Sequence, residues 1–370
     1  MPGENDFSRL ELSLPACRSN YRYFRSLLEP ETKLLVLVKA NAYGHGAVEF
    51  ASMMQAEGAD YLAVALPVEG VELRRAGISL PVLVLTAGTD FFPEMIEYNL
   101  EPSIPNMYSL RALAGILEER GIKDFPIHIK LDTRMHRLGF MTSELDELSA
   151  FLKGCGAVRV KSVFSHLAVA EDSSQDVFTE GQVRLFRNNA QALTDALGYK
   201  PMWHILNSAG IERFPQYQFD MVRLGIGIYG ISALEGVKLE PVASFKVKIL
   251  QIKRLSGKDE TIGYGRFGKV SPEGTTIATI PCGYADGLDR HLGRGNASFS
   301  LNGRRVPTIG NICMDMCMLD VTGVDCKVGD TVTIFGDDPS INELAGILGT
   351  IPYEILTSVP RRIERIIVRR

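Results

Sequence analysis

Residues 34–46, Leu-Leu-Val-Leu-Val-Lys-Ala-Asn-Ala-Tyr-Gly-His-Gly, decide the fold. The five leading apolar residues predict a strand buried on both faces, and residues 47–57 have the apolar spacing of a helix. The strand ends at Lys39. Burial lowers the pKa of a lysine, and its neutral amine is a nucleophile that forms a Schiff base with an aldehyde. Most lysines at strand ends are simply solvated, but the tight turn of small residues behind Lys39 favours a binding site.

An alternation of strand-like and helix-like segments extends from this first strand. Helical patterns, several of them ended by a glycine, separate most of the apolar runs. Eight such alternations predict an α/β fold, a parallel (β/α)8 TIM-like barrel. A doubly wound open sheet is the alternative, although no GxGxxG motif follows the first strand. The eight predicted strands are residues 34–38, 61–65, 81–86, 100–104, 127–132, 158–164, 203–207 and 221–224.

The pattern changes near residue 240. From there the chain carries alternating, β-branched runs separated by Gly, Pro, Asn and Asp, which predict a C-terminal, mostly antiparallel β-domain. One short helix is expected near residues 341–348, and the half-polar strand at residues 9–14 is expected to pair with this domain. The barrel is expected over residues 15–235 and the β-domain over residues 236–370. The N-terminal segment, residues 1–14, is expected to join the β-domain.

Composition limits the function classes. The chain has 370 residues, 45% of them hydrophobic, and a formal net charge of −4, so it can bury a large core and offers no basic stripe to nucleic acid. Its six scattered cysteines complete no zinc-ligand set, and we expect no metal site. We find no signal-peptide pattern and no apolar run of membrane-spanning length, so a cytoplasmic protein that contacts no membrane is expected.

Polar residues fall at the ends of several predicted strands. Barrel enzymes place their catalytic groups at the carboxyl ends of the strands. Each residue alone has an ordinary structural explanation, but their joint occurrence at one end of the barrel indicates an active site. They are Lys39, Lys130 with Asp132, His166, Asn207 with Ser208, and Arg223.

The stretch around Lys39 resembles the cofactor-lysine motif of the alanine racemases, enzymes that use pyridoxal 5'-phosphate (PLP). In that family this lysine carries the cofactor covalently, so the resemblance implies that Lys39 does so here and also acts as one catalytic base. Further motifs follow in the family's order as far as Tyr353. The resemblance implies PLP-dependent interconversion of L- and D-alanine, which supplies D-alanine for cell-wall peptidoglycan.

The segment Lys130-Leu-Asp-Thr-Arg-Met-His-Arg-Leu-Gly139 is similar to the family's Lys-x-Asp-Thr-Gly-Met-x-Arg-Leu-Gly motif. The family's arginine for the substrate carboxylate falls on Arg137, whose fork suits a carboxylate. The buried lysine that is often carbamylated in the family falls on Lys130. Arg134 replaces the usual glycine, which leaves the local backbone shape open.

Asn207-Ser-Ala-Gly and Arg223-Leu-Gly-Ile-Gly-Ile-Tyr-Gly230 are similar to the family's phosphate-binding and ring-nitrogen segments, with Leu224 in place of proline. By the resemblance, Arg223 faces the pyridine nitrogen. An arginine donates a hydrogen bond there and keeps the nitrogen unprotonated, which favours racemisation over transamination. The cofactor-binding residues implied are Lys39, Tyr43, Leu85, His166, Asn207, Ser208, Arg223, Gly225, Ile226 and Tyr353.

Racemisation needs a base on each face of the reacting carbon. The segment Thr261-Ile-Gly-Tyr-Gly-Arg266 resembles a family motif that places the second catalytic base on Tyr264. A phenol has an ordinary pKa of about 10, so it needs cationic neighbours to act near neutral pH. His166 and Arg223 are the candidate cations.

Two more segments, 281–287 and 310–316, match the family. They imply that Tyr284 lines the substrate entrance and that the backbone amide of Met314 contacts the substrate, with Cys313 and Asp315 beside it. In the family these segments reach the cofactor of the other subunit, so the resemblance implies a homodimer with composite sites.

Two alternatives stay open at this stage. A decarboxylase of basic amino acids shares the architecture but generally places a carboxylate at the pyridine nitrogen, where this chain has Arg223. A non-catalytic PLP carrier resembles the barrel alone, so the β-domain and Tyr264 speak against it.

Overall fold

The computed structural model describes residues 7–369 except 233, 235 and 258. The chain forms two compact units. The barrel unit contains Arg18–Ala42 and Ala47–Leu239, and the β-unit contains Met1–Cys17, Tyr43–Gly46 and Glu240–Arg370. The expected boundary residue 235 and residues 1–6 of the expected N-terminal segment lie outside the described residues.

Eight parallel strands form the nearly closed barrel, in the order β8-β7-β6-β5-β4-β3-β2-β9. The two end strands are joined by hydrogen bonds from Asp220 N to Trp203 O (3.1 Å) and from Arg223 N to Leu206 O (3.0 Å). The predicted barrel is therefore confirmed, and the open-sheet alternative is wrong. The strands are β2 (Lys33–Leu37), β3 (Tyr61–Val64), β4 (Val82–Val84), β5 (Glu101–Ile104), β6 (Phe125–Lys130), β7 (Val158–Phe164), β8 (Met202–His204) and β9 (Met221–Leu224).

Helices connect these strands and bury their apolar faces. The longest ends at Gly198, whose φ of 73° is the left-handed conformation that glycine adopts without a Cβ clash. The helices are α1 (Leu14–Ser26), α2 (Ala47–Ala56), α3 (Pro67–Arg75), α4 (Phe92–Glu97), α5 (Met107–Glu119), α6 (Leu145–Gly154), α7 (Asp176–Leu197) and α8 (Ser208–Arg213). In the described part of the chain, none of the helices is long and apolar enough to cross a membrane.

The β-unit contains a six-stranded sheet in the order β16-β15-β18-β10-β1-β19, a three-stranded sheet β11-β14-β17 and the hairpin β12-β13. Strand β1 (Ser8–Ser13) pairs antiparallel with β10 and parallel with β19. Helices α9 (Ile341–Leu348) and α10 (Pro352–Ser358) follow the sheet strands. The remaining strands are β10 (Ala243–Lys248), β11 (Gln251–Leu255), β12 (Thr261–Ile262), β13 (Gly268–Lys269), β14 (Thr275–Ile280), β15 (Ser298–Leu301), β16 (Arg304–Pro307), β17 (Cys317–Asp320), β18 (Thr331–Phe335) and β19 (Glu364–Val368).

Candidate active site

A left-handed turn follows Lys39 at the end of β2. The four residues after the lysine, Ala40 to Tyr43, all have φ between 51° and 55°. Each non-glycine residue in this conformation costs about 1–2 kcal/mol, and such strain concentrates at functional sites. The turn is not made by glycine flexibility alone, because its first four residues all carry a Cβ.

Glu69 holds the start of this turn in place. Its carboxylate accepts hydrogen bonds from the backbone N–H groups of Ala40 (2.6 Å), Ala65 (2.7 Å) and Leu66 (3.0 Å). The same carboxylate caps α3, which begins just after Leu66. Glu69 therefore ties the turn after Lys39 to a neighbouring helix, a role that the sequence analysis missed.

Four cationic side chains interact at this end of the barrel: Lys39, Lys130, Arg137 and Arg223. Burial and the charge of Arg137 lower the pKa of Lys39. Burial, Arg223 and Arg137 lower the pKa of Lys130 to about 7. Because like charges that are removed from water repel one another, this arrangement favours neutral amines and anionic ligands. The structure thus brings together residues that the sequence analysis assigned to cofactor and substrate.

The loop that carries Arg137 has a fixed backbone. Asp132 N donates to Phe140 O (2.9 Å), and Phe140 N donates to Lys130 O (2.8 Å). A Cβ at Gly139 would lie 2.6 Å from Asp132 N, so only glycine fits there. Arg134, which stands where the family has glycine, adopts a φ of 77°. The glycine-like backbone shape is thus kept despite the side chain, at a cost in strain.

Arg223 is buried and rigidly held. Its Nη1 donates to His204 Nδ1 (3.0 Å) and His204 O (3.3 Å). The two hydrogens of its Nη2 are shared among three acceptors: the carbonyl oxygens of Ser165 (2.7 Å) and Ile205 (2.9 Å), and His166 Nδ1 (3.0 Å). Burial lowers the pKa of Arg223 to about 9, which leaves the guanidinium charged at neutral pH. Among the described residues these bonds use only Nη1 and Nη2, so Nε–H remains for a ligand.

His166 is neutral, contrary to the expectation that it supplies positive charge. Burial and the neighbouring Arg223 lower the pKa of His166 well below its ordinary value. Because Arg223 only donates, His166 Nδ1 must be an acceptor, and its proton lies on Nε2. The positive charge at this end of the barrel therefore comes from the lysine and arginine side chains and not from His166.

The predicted phosphate-binding residues lie together where β8 and β9 end. Asn207 Oδ1 accepts from Gly210 N (2.9 Å) and so caps α8. Ser208 Oγ accepts from the N–H of Gly225 (2.9 Å) and of Gly227 (3.2 Å), which fixes the loop after β9 against α8. Ile226 follows directly, at the start of a short 3-10 turn. Chain topology thus gathers backbone amides and a hydroxyl at one point.

The remaining cofactor-binding residues predicted from the sequence occupy separate places. The rings of Tyr43 and Tyr353 lie 5.8 Å apart in the β-unit, tilted by 45°. Burial, with a smaller contribution from Tyr353, raises the pKa of Tyr43, so its phenol stays protonated and can donate. Leu85 follows β4 and packs, partly buried, on a core cluster that includes Leu35 and Leu83.

The residues predicted to contact the substrate and to supply the second base form one cluster in the β-unit. Tyr284 N donates to Cys313 O (3.0 Å), and Ala285 N donates to Met314 O (3.0 Å). Asn311 Nδ2 donates to Tyr264 O (2.8 Å), which connects the turn of Tyr264 to the same segment. Tyr264, Met314 and Tyr284 are 74%, 55% and 47% exposed.

Residues missed by the sequence analysis hold this cluster together. Arg362 bridges the carboxylates of Asp286 (2.7 Å) and Asp315 (2.8 Å). Asn311 both positions Tyr264 and accepts from Arg294 Nε (2.7 Å). Asn311 and Asp286 lie inside motifs that the sequence analysis quoted, but Arg362 offered no signal. Within the described ranges no group of three or more His, Cys, Asp and Glu residues is placed to hold a metal ion.

Both parts of the chain match profiles of known protein families. The profile of the family described as "Alanine racemase, N-terminal domain" matches residues 12–233, and that of "Alanine racemase, C-terminal domain" matches residues 242–367. The alanine racemase of Methanococcus maripaludis is 37% identical over 368 residues, which cover 96% of this chain and 97% of that protein.

Solved structures agree with the sequence relatives. The alanine racemase of Clostridium difficile 630 superposes with a TM-score of 0.91 at 33% identity, over 98% of this chain and 96% of that one. The alanine racemase of Bartonella henselae, with covalently bound pyridoxal phosphate, superposes with a TM-score of 0.89 at 28% identity, over 98% and 99% of the two chains.

Proposed function

This chain belongs to the alanine racemase family, and on that premise we propose how its residues divide the work of racemisation. The enzyme interconverts L- and D-alanine and uses PLP as its cofactor. The observation that carries the assignment of roles is the meeting of Lys39, Lys130, Arg137 and Arg223 at the carboxyl ends of the barrel strands, where burial and mutual repulsion lower the pKa values of both lysines.

The residues present fit PLP. The lowered pKa of Lys39 makes its amine available for attachment to an aldehyde, and the excess of positive charge suits an anionic ligand. We propose that Lys39 holds the cofactor covalently, that Asn207, Ser208, Gly225 and Ile226 with Tyr43 and Tyr353 bind its phosphate, and that Leu85 and His166 contact its ring. When bound, PLP supplies an electron sink that acidifies the α-hydrogen of alanine.

Arg223 has the geometry of a fixed donor to the ring nitrogen. Its two terminal nitrogens are occupied by the hydrogen bonds described above, so it approaches a ligand through Nε–H. We propose that this N–H donates to the pyridine nitrogen. A carboxylate at this position would protonate that nitrogen, and the buried guanidinium therefore argues against the decarboxylase alternative.

The proton transfers need two groups on opposite faces of the alanine Cα. We propose that the Lys39 amine moves the proton on one face and the Tyr264 phenol on the other, and that Arg137 binds the carboxylate of alanine through its guanidinium fork. Asn311 positions Tyr264 through its backbone carbonyl. Tyr284, Cys313, Met314 and Asp315, held in one cluster, line the approach of the substrate.

We propose that the active species is a homodimer with composite sites. Tyr264, Met314, Met316 and Tyr284 are large, exposed side chains of the β-unit. Exposed apolar groups of this kind mark interaction surfaces, and a second copy of the chain fits them because the family resemblance assigns them to a partner's site. Each site then combines Lys39 of one copy with Tyr264 of the other.

Mixed dimers test the composite site. Lys39→Ala and Tyr264→Ala proteins are each expected to be inactive, but their co-folded mixture should contain about half mixed dimers. Each mixed dimer has one site with both lysine and tyrosine intact, so about a quarter of the wild-type activity returns. If each site lay within one copy, the mixture would stay inactive.

We propose that the enzyme acts in the cytoplasm and provides D-alanine for peptidoglycan. The buried Cys282 and Cys317 carry reduced thiols, which is typical of a reducing compartment. Fractionation of the native cell, with the activity assayed in each fraction, tests the location. Activity confined to a membrane or exported fraction would contradict it.

Racemisation itself is tested with L-alanine in D2O. Chiral chromatography should show D-alanine approaching an equal amount of L-alanine, with deuterium at Cα of both. PLP absorbance without D-alanine would instead support a carrier, and release of CO2 from ornithine or diaminopimelate would support a decarboxylase.

A further inference from the structure

A chain of buried polar side chains runs through the barrel interior behind Arg223. Arg223 Nη1 lies 3.0 Å from His204 Nδ1, and His204 Nε2 lies 2.9 Å from Ser162 Oγ. Ser162 Oγ lies 2.6 Å from His128 Nδ1, and His128 Nε2 lies 2.7 Å from a carboxylate oxygen of Glu101. All five side chains are buried. They come from five successive strands, β9, β8, β7, β6 and β5.

The donors and acceptors of these five side chains allow only one arrangement of their protons. Arg223 can only donate, so His204 Nδ1 carries no proton, and the His204 proton lies on Nε2 and is donated to Ser162 Oγ. The Ser162 hydroxyl has no further acceptor among the described residues, so it donates to His128 Nδ1. The His128 proton then lies on Nε2 and is donated to the carboxylate of Glu101. Every hydrogen points away from Arg223 toward Glu101.

The charges at the two ends agree with this arrangement. Burial opposes ionisation of Glu101, but the hydrogen bond from His128 outweighs it and lowers the pKa of Glu101. Lys161 and Arg74 lie close enough to this carboxylate to favour its charge. Burial and Arg223 lower the pKa of His204, so this ring stays neutral between the charged ends.

We propose that Glu101, His128 and Ser162 are positioning residues, which act through His204 to keep Arg223 oriented with Nε–H toward the site. This positioning role rests on the proposed function, in which Arg223 donates to the pyridine nitrogen. Because the carboxylate of Glu101 only accepts, each hydrogen bond between Glu101 and Arg223 has a fixed donor and a fixed acceptor. His204 therefore always presents an unprotonated Nδ1 to Arg223 Nη1. A barrel interior filled by apolar side chains would be simpler to stabilise, because each buried polar group costs free energy unless it is fully satisfied.

Loss of one member should release Arg223. In Ser162→Ala, the N–H of His204 Nε2 is left without an acceptor, and a buried unpaired donor is costly enough to drive the ring to rotate. Rotation moves Nδ1 away from Nη1. We expect weaker PLP binding and a kcat lowered by roughly tenfold, the effect of losing about one buried hydrogen bond, with the KM for alanine little changed.

Ser103→Ala is a matched control. Ser103 lies on β5 beside His128 in register, is buried, and its hydroxyl makes no hydrogen bond within the part of the chain that the structure describes. Removing this oxygen changes the same barrel interior but leaves the hydrogen-bonded side chains from Arg223 to Glu101 intact. PLP affinity, kcat and KM should stay at wild-type values.

Neutron diffraction of wild-type crystals, with and without PLP, tests the proton arrangement directly and does not depend on any variant folding. We expect deuterium on Nε2 and none on Nδ1 in both His128 and His204. A proton on Nδ1 of either ring would overturn the proposal, as would equal loss of PLP affinity in Ser162→Ala and Ser103→Ala. If the rings are as expected but wild-type enzyme forms no D-alanine, the proposed function fails and the proton arrangement stands.

Discussion

Lys130 is expected to react with carbon dioxide at neutral pH. The side chain is 9% exposed, and burial with Arg223 and Arg137 lowers its pKa to about 7. A carbamate forms only on the neutral amine. The neutral amine attacks carbon dioxide and releases one proton to water, and the carbamate anion that results lies among cations and can pair with Arg137, so both the electrostatics and the protonation state favour it.

The pKa of Lys130 determines what fraction of its amine is neutral and able to react with carbon dioxide. At pH 7.5 a group with a pKa of about 7 is roughly three-quarters neutral, whereas an ordinary lysine is about 0.1% neutral, a difference of roughly 700-fold. The fall from 10.5 to about 7 also means that the protonated form opposes folding by about 5 kcal/mol. Because the folded pKa is the lower one, this penalty is full below about pH 7 and disappears as the pH rises toward 10.5. At neutral pH, carbamylation of the folded protein offsets this penalty.

The assay is 13C NMR of the protein in 13C-bicarbonate at pH 7.5. Wild-type protein should show one protein-bound carbamate signal, and Lys130→Met should show none. Lys161→Met is the control, because Lys161 is an exposed lysine of the neighbouring strand β7. Removal of CO2 should lower the melting temperature of wild-type protein by several degrees and leave Lys130→Met unchanged. A folded wild-type protein without the signal, or a signal that persists in Lys130→Met, would refute the reasoning.

Two further predictions concern the backbone around the site. Arg134→Gly should raise the free energy of unfolding by about 1 kcal/mol, because glycine adopts a positive φ without strain. The control Arg184→Gly, in the middle of α7, should lower the free energy of unfolding by about 1 kcal/mol. Equal changes of the two variants in urea unfolding would contradict this prediction. Glu69→Ala removes a charge that raises the pKa of Lys39, so the attachment of PLP should persist to lower pH in the variant. The variant also loses three hydrogen bonds to the backbone, so its affinity for PLP should be weaker. Both effects are measured by PLP absorbance. An unchanged pH profile with unchanged affinity would count against the role of Glu69.

The barrel was predictable because its signals are local. Buried parallel strands are continuous apolar runs, and glycine or capping residues mark the helix ends, so the strand at Val158–Phe164 and the helix Ile341–Leu348 were predicted with their observed bounds. The pairing of β1 between β10 and β19 joins distant parts of the chain. Period-2 alternation indicates strands but does not specify their partners.

The chemistry was predictable only in part. Motifs identified Lys39 and Arg223, but nothing in the residues after Lys39 indicates four successive positive φ values. His128 and Ser162 are single polar residues inside strand patterns, and only the folded barrel shows that they touch. The charge of His166 was predicted wrongly because its state depends on burial and on Arg223, neither of which a sequence displays.

Primary isotope effects in Tyr264→Phe test the central claim most directly. Racemisation is measured from α-deuterated L-alanine and from α-deuterated D-alanine, in the variant and in wild-type enzyme. The phenol serves one face only, so the variant should show a strongly increased isotope effect for one enantiomer and a nearly unchanged one for the other. Equal, small changes for both enantiomers would contradict the assignment of Lys39 and Tyr264 to opposite faces.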